Sequence, residues 1–331
     1  MSPFTSIFSY FSPATRPGQN ATRKTALITG CSEGGIGAAL ASAFLDQGYF
    51  VFVTARNTSK VPLALKDAEN VQILELDTTS LASIRAAVDA VRSSVASLSK
   101  RDGSENPQAN GNADVGVGDR PGLDVLVNNA GHALSGPGLD VDVDREGKAC
   151  FEVNVWGPLR MMQAFSPLME GRSSAVVNIG SIAGSIHLAF QPIYAASKAA
   201  LHTMSESMRL ELEPLDIRVV TLIVGCVQSK VIQNIPAYRI PEGSLYQPIE
   251  SQINEFVQAE NRPPETKTED FARDVVRDVV GGKDGMVWRG KWSVTMWVLW
   301  AFFPRWVQDR VASGGPGLGM LKNSRAKVKS A

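Results

Sequence analysis

Short, continuous apolar runs alternate along this chain with longer stretches of mixed polarity. The runs lie at 25–29, 50–54, 71–76, 123–127, 174–179 and 217–224. Segments this short and this uniformly apolar predict strands buried on both faces. Between them, 38–47, 80–98, 148–164 and 193–212 carry apolar residues at helical spacing and predict helices. A last helix is predicted to end near residue 280, opened by Thr266-Lys267-Thr268-Glu269 as a capping box. Strands joined through helices need crossover connections, so the sheet is parallel and covered on both sides. The expected fold class is α/β, doubly wound.

Three segments break the alternation. Residues 1–22 are rich in Ser, Thr and Pro, with Phe4, Ile7, Phe8 and Phe11 at helical spacing. They read as a flexible leader or a small membrane-touching helix, and no positive n-region marks a secretory signal. Residues 99–122, made of Ser, Asp, Gly, Asn and Pro, offer nothing to bury and read as a flexible surface insertion. Near the C-terminus, five of the six tryptophans fall between 288 and 306, and 292–303 carries no charge. Twelve helical residues rise about 18 Å, too little to cross a hydrocarbon core of ~30 Å. The segment 291–312 suits a helix lying in a membrane interface, or one buried against the domain or a dimer partner. In the tail 313–331, Lys322, Arg325, Lys327 and Lys329 would favour an anionic lipid surface.

Charge narrows the function classes. The 33 basic and 33 acidic residues cancel, so nothing supports a nucleic-acid partner. Cys31, Cys150 and Cys226 are scattered, which suggests free thiols in a reducing compartment. His132, His187 and His202 lack metal-site spacing, and no metal is expected.

The chemistry concentrates in Tyr194-Ala195-Ala196-Ser197-Lys198, with Ser181 thirteen residues upstream. A spacing of four puts Tyr194 and Lys198 on one helix face. An ammonium beside a phenol favours the phenolate and lowers the tyrosine pKa. Such a tyrosine can exchange a proton with an alcohol oxygen that Ser181 also binds, while a cofactor carries the hydride. Tyr-x-x-x-Lys alone is common by chance, so its surroundings decide. Thr29-Gly30-Cys31-Ser32-Glu33-Gly34-Gly35-Ile36-Gly37 follows the first strand. Asn128-Asn129-Ala130-Gly131 and Asn178-Ile179-Gly180-Ser181 follow or end later ones, as does Val224-Gly225-Cys226-Val227-Gln228-Ser229, and Asn154 lies between. A glycine-rich turn between strand and helix admits a pyrophosphate. The second strand ends Val53-Thr54-Ala55-Arg56, with no carboxylate for a 2′-hydroxyl and an arginine fork for a 2′-phosphate.

In order and interval these motifs resemble the short-chain dehydrogenases/reductases from about residue 23 to 290. The resemblance implies a doubly wound Rossmann fold with a parallel sheet of about seven strands. It implies that Tyr194 is the acid/base, that Lys198 tunes it and holds the nicotinamide ribose, and that Ser181 polarises the substrate oxygen. Asn154 would hold a relay water. Gly30, Ser32, Gly35, Ile36, Gly37, Arg56, Asp77, Asn129, Val227 and Ser229 would contact the cofactor with Tyr194 and Lys198, and Arg56 points to NADP(H). Residues 225–267 would form the substrate lid, and His187, after Ser181, is better placed than His132 to face substrate, although a purely structural role is the first expectation for it. Three departures stand out: one extra residue between Gly30 and Gly35, Gly180 for a frequent serine, and Val224 for the usual proline. Gly34 should absorb the first.

The glycine turn, Thr54-Ala55-Arg56 and the surroundings of Pro304-Arg305-Trp306 are similar to fungal 1-acyldihydroxyacetone-phosphate reductases. That likeness implies NADPH-dependent reduction of a lipid ketone on the cytoplasmic side of endoplasmic reticulum or lipid droplets. Other relatives act on steroids, retinoids, and polyketide or terpenoid secondary metabolites, and many form homo-oligomers. The expected substrate is a hydrophobic ketone or secondary alcohol. A dinucleotide-binding regulator without turnover is disfavoured, because Tyr194 and Lys198 are both present.

Overall fold

The computed structural model describes residues 23–101, 121–230, 238–258, 265–313 and 317–329. The leader, most of the 99–122 insertion and parts of the 225–267 segment lie outside the described residues.

Seven strands form one parallel sheet: β1 Thr25–Ile28, β2 Phe50–Ala55, β3 Val71–Glu75, β4 Val125–Asn128, β5 Ser174–Ile179, β6 Ile217–Val224 and β7 Gly285–Arg289. Their order is β3-β2-β1-β4-β5-β6-β7. Alternate residues feed opposite layers, as a period of two requires. Ala26, Ile28, Val51, Val53, Val220 and Leu222 join one buried cluster. Leu27, Phe52, Val176 and Val219 join the other. Both faces are therefore apolar, which is why the strands read as unbroken runs. The two edge strands are less buried: no residue of β3 is fully buried, and of Gly285–Arg289 in β7 only Val287 is, and no apolar run marks β7.

The helices are α1 Ile36–Asp46, α2 Leu63–Lys66, α3 Leu81–Arg101, α4 Lys148–Phe151, α5 Gly157–Phe165, α6 Pro192–Leu212, α7 Glu250–Gln258, α8 Thr268–Val280, α9 Ser293–Phe302, α10 Arg305–Ser313 and α11 Leu318–Lys329. Three sequence expectations need correction. The helix expected at 148–164 is not uniform, because π turns at Val143–Gly147 and Glu152–Trp156 flank α4. The third helix continues to Arg101, three residues into the segment read as insertion. The capping box does not form, since Lys267 is the N-cap of α8 and no side chain caps it. Thr266 is taken instead by backbone pairing, its N–H bonding Cys226 O at 3.0 Å and its carbonyl accepting Gln228 N–H at 2.9 Å. The Thr268 hydroxyl donates to Gln228 O.

β1 and β4 are neighbours, so the connections leaving them pass to opposite faces and open a crevice beyond the strand ends. Every sequence-predicted motif except Asn154 and the α6 pair leaves the C-terminal end of a strand there.

Candidate active site

The glycine turn is shaped by close approach. Gly30 and Gly34 have φ of +75° and +72°, a region costly for residues with a Cβ. The extra residue in the turn is thus absorbed at Gly34 as expected. A Cβ on Gly37 would lie 2.4 Å from Asn129 Nδ2 and 2.6 Å from Gly30 O. Asn129 donates to Thr29 O at 2.8 Å and Gly30 O at 3.0 Å, stitching the end of β4 to the turn. The N-terminus of α1 follows with no side-chain cap at Gly35, leaving backbone N–H groups for an anion.

A groove of about 2220 Å³ runs over these strand ends. Ligand sites commonly hold roughly 300–1,000 Å³, so a dinucleotide and a second molecule fit together. Gly30, Ser32, Gly35, Ile36, Arg56, Asp77, Asn129, Val227 and Ser229 line it, as do Ser181, Tyr194 and Lys198. Gly37 and Asn154 are not in the lining. Gly37 is a packing position behind the turn. Lys60, which sequence reasoning missed, joins Arg56 in the wall at the end of the short turn Thr58–Lys60. Asn57 caps that turn by accepting from Ser59 N–H at 2.9 Å. Burial would push the Asp77 carboxyl up, but hydrogen bonds from Thr79 and the Arg56 charge outweigh it and hold Asp77 below the usual range. The glycine cradle, the bare N-terminus of α1 and the two cations of the wall fit a phosphorylated dinucleotide.

Lys198 Nζ lies 5.9 Å from the centre of the Tyr194 ring and donates to Ile179 O at 2.8 Å. Ser181 caps the turn Ile182–Gly184 by accepting Ala183 N–H at 3.2 Å, and its hydroxyl also meets the Tyr194 phenol. One expectation reverses here. Burial pushes the Tyr194 phenol above its ordinary 10, and the Ser181 hydrogen bond only partly offsets this. Burial also pushes Lys198 down, from 10.5 to about 8. Tyr194 therefore keeps its proton at neutral pH, and the lysine is the group shifted toward neutrality.

Asn154, fully buried, sits inside the π turn Glu152–Trp156. Its Oδ1 accepts His132 N–H at 2.8 Å, and Nδ2 donates to His132 O at 2.9 Å and Ser197 Oγ at 3.0 Å. Ser197 Oγ bonds Tyr194 O at 2.7 Å. The structure thus places the Asn154 side chain behind Tyr194, as a brace between α6 and the β4 loop. The π turn is what directs it inward, and such turns are frequent at functional sites.

At the other end of the groove, Leu134, Ile182, Leu188, Tyr238 and Phe256 give an apolar wall, with Tyr238 bonded to Asp140 at 2.6 Å. His132 faces the groove. His187 does not; it is exposed, its ring 5.7 Å from Trp300. The relative placement read from the sequence is therefore reversed. On α9, α10 and the turn between them, Trp297, Phe302, Phe303 and Trp306 are exposed, Phe302 at 72% and Trp306 at 70%. No helix among the described residues is long and apolar enough to cross a membrane.

Comparison with known proteins agrees with this geometry. The sequence pattern of the family described as short chain dehydrogenase matches residues 24–99 and 108–239. A short-chain dehydrogenase of Penicillium ochrochloron, ptmH, is 38% identical over 87% of this chain and 96% of its own length. An NADPH-dependent 1-acyldihydroxyacetone phosphate reductase of Schizosaccharomyces pombe is 34% identical over 81% of this chain and 80% of its own. The crystal structure of a short chain dehydrogenase from Burkholderia cenocepacia in complex with NADP shares the fold, with a TM-score of 0.63 at 23% identity. It covers 88% of this chain and 97% of its own.

Proposed function

Because this chain belongs to the short chain dehydrogenases, a family of nicotinamide-dependent oxidoreductases, we propose that it reduces a ketone on a hydrophobic small molecule with NADPH. The turn Gly30–Gly37, Asp77, Asn129, Val227 and Ser229 would hold the dinucleotide, with Arg56 and Lys60 at its 2′-phosphate. NADPH, when bound, supplies the hydride to the carbonyl carbon. Ser181 donates a hydrogen bond to the carbonyl oxygen. Tyr194 gives that oxygen its proton, and the Lys198 ammonium offsets the charge left on the phenolate. Asn154 keeps α6 and the β4 loop in register. The observation that carries the reading is that Ser181, Tyr194 and Lys198 open into the same groove as the glycine turn and Arg56, and burial keeps the Tyr194 phenol protonated there. The apolar wall of Leu134, Leu188 and Phe256 supports a secondary-metabolite ketone of polyketide or terpenoid type, with Tyr238, Pro241 and Phe256 supplying the part of that wall that comes from the segment expected to act as a lid.

The second reading is a lipid ketone of the 1-acyldihydroxyacetone phosphate kind, reduced at a membrane face. The exposed side chains of α9 and α10 favour it. Residues 291–322 carry Lys291, Arg305, Arg310 and Lys322 against the single carboxylate Asp309, which pairs with Arg305 at 3.8 Å. Aromatic residues among cations suit an anionic lipid surface, here the cytoplasmic face of endoplasmic reticulum or a lipid droplet.

NADPH oxidation by the full chain, against a panel of polyketide-like ketones, steroid ketones and acyl-dihydroxyacetone phosphate, tests both readings. Turnover of the first group, lost in Tyr194→Phe, supports the leading reading. Turnover of the lipid ketone alone, with flotation on phosphatidylserine vesicles, supports the second. Light scattering that finds a dimer, without flotation, reassigns the α9–α10 face to a second copy. NADPH binding with no turnover of any ketone refutes the reductase.

A further inference from the structure

α6 carries a third polar side chain along the stripe of Tyr194 and Lys198. His202 lies one turn beyond the lysine and is only 4% exposed. Its Nε2 accepts the backbone N–H of Ser181 at 3.3 Å. The ring occupies a slot between two glycines of the serine loop. A Cβ on Gly180 would fall 2.4 Å from Nε2, and one on Gly184 2.6 Å from Cε1. The adjoining backbone is held as well. Lys198 binds Ile179 O at 2.8 Å, and Leu222 O accepts Gly180 N–H at 2.8 Å. Each of the three residues ending at the serine thus has a backbone group held by a neighbouring element, two of them by side chains of α6.

An imidazole nitrogen accepts a hydrogen bond only when it carries no proton. Burial first, and the Lys198 charge second, push His202 down to about 4, so the ring is neutral at working pH. The Ser181 contact assigns its proton to Nδ1.

We infer that His202 is a positioning residue for Ser181: Nε2 fixes the serine amide, and Gly180 and Gly184 make room for the ring. The serine hydroxyl is thereby held at the Tyr194 phenol. The inference rests on the reading of Ser181 as the donor to the carbonyl oxygen. It also accounts for glycine at 180, where a serine would put its Cβ in the space of the ring. His202 itself touches no reacting atom.

The test uses the full chain with His202→Leu and His202→Gln. One readout is backbone hydrogen–deuterium exchange of the peptide containing Ser181. The other is steady-state turnover of NADPH with phenanthrenequinone as the ketone probe. In His202→Leu, exchange at Ser181 is expected to rise and kcat to fall on the order of tenfold, with KM and NADPH Kd within about twofold. The glutamine, which can still accept, should recover most of both. Gly180→Ser, which keeps His202 but displaces its ring, should give the same faster exchange and covers the case in which His202→Leu does not fold. Unchanged exchange in His202→Leu overturns the inference. So does a glutamine no better than leucine, because that marks packing alone. If exchange responds as expected but the wild type turns over no ketone, the reductase reading fails and the contact stands.

Discussion

Turnover should fall on the alkaline side at a pH set by Lys198 rather than by Tyr194. Burial lowers Lys198 from 10.5 to about 8 and raises the tyrosine above 10. As pH rises, the ammonium is lost first, and with it the charge that would stabilise a phenolate forming during proton transfer. At pH 9 about one lysine in ten remains protonated, so the reductive rate should be about tenfold below its neutral plateau. Initial rates of NADPH oxidation from pH 6 to 10, at saturating NADPH, give the profile. Lys198→Arg stays charged throughout. If it folds and binds NADPH, its lower plateau should extend past pH 9. Stability should move the other way. Between pH 8 and 10.5 the unfolded chain holds a proton that the folded protein has released, so this group's contribution improves with pH there. The full shift corresponds to ~3 kcal/mol. A rate flat from pH 7 to 10 would refute the argument. A limb near 10 would assign the titration to Tyr194 and refute it equally.

Further outcomes follow from other contacts. Tyr194→Phe should lower turnover about 10²–10⁴-fold while NADPH still binds, checked by nicotinamide fluorescence. Arg56→Ala and Lys60→Ala should each weaken NADPH about tenfold or more and leave NADH Kd nearly unchanged, as calorimetry would read. Neutral His202 binds its proton only near pH 4 when folded but at its ordinary 6.5 when unfolded. Stability should therefore fall as pH drops from 6.5 to 4, by up to ~3 kcal/mol, and His202→Gln should flatten that slope in thermal melts. Gly37→Ala, whose Cβ would meet Asn129 Nδ2 at 2.4 Å, should destabilise by about 1–3 kcal/mol and weaken dinucleotide binding.

Much of this was legible because it rests on period and spacing. Five strands announced themselves as apolar runs because both their faces are buried, and the edge strand β3 did so through Val71, Ile73 and Leu74, which pack half-buried against the two clusters. The spacing of Tyr194 and Lys198 needs only a helix to become a juxtaposition. What stayed hidden depends on three-dimensional approach. β7 has one buried residue, and its partner β6 lies some sixty residues earlier in the chain. Lys60 reaches the groove through a short turn that no motif announces. Thr266 looked like a cap because its hydroxyl class fits one, yet backbone pairing with Cys226 and Gln228 takes its place. The contacts of Asn154 with His132 and Ser197 were not legible either, because they depend on a π turn that no helical spacing announces. The sign of the Tyr194 shift depends on burial, which outweighs the opposing hydrogen bond from Ser181.

The strand order also governs how the chain can be made. β1 is flanked by β2 and β4, and its register partner in β4 lies about a hundred residues downstream, Ala26 opposite Val125. Until that stretch is synthesised, β1 has an open edge, and the glycine turn lacks the Asn129 contacts that shape it. Contacts of such sequence separation are slow to form, and open strand edges in the interval are prone to pair with other chains. The dinucleotide cradle is thus a late product of folding. Destabilising changes within β4 should be felt first as poor yield of soluble protein, before any loss of activity in the molecules that do fold.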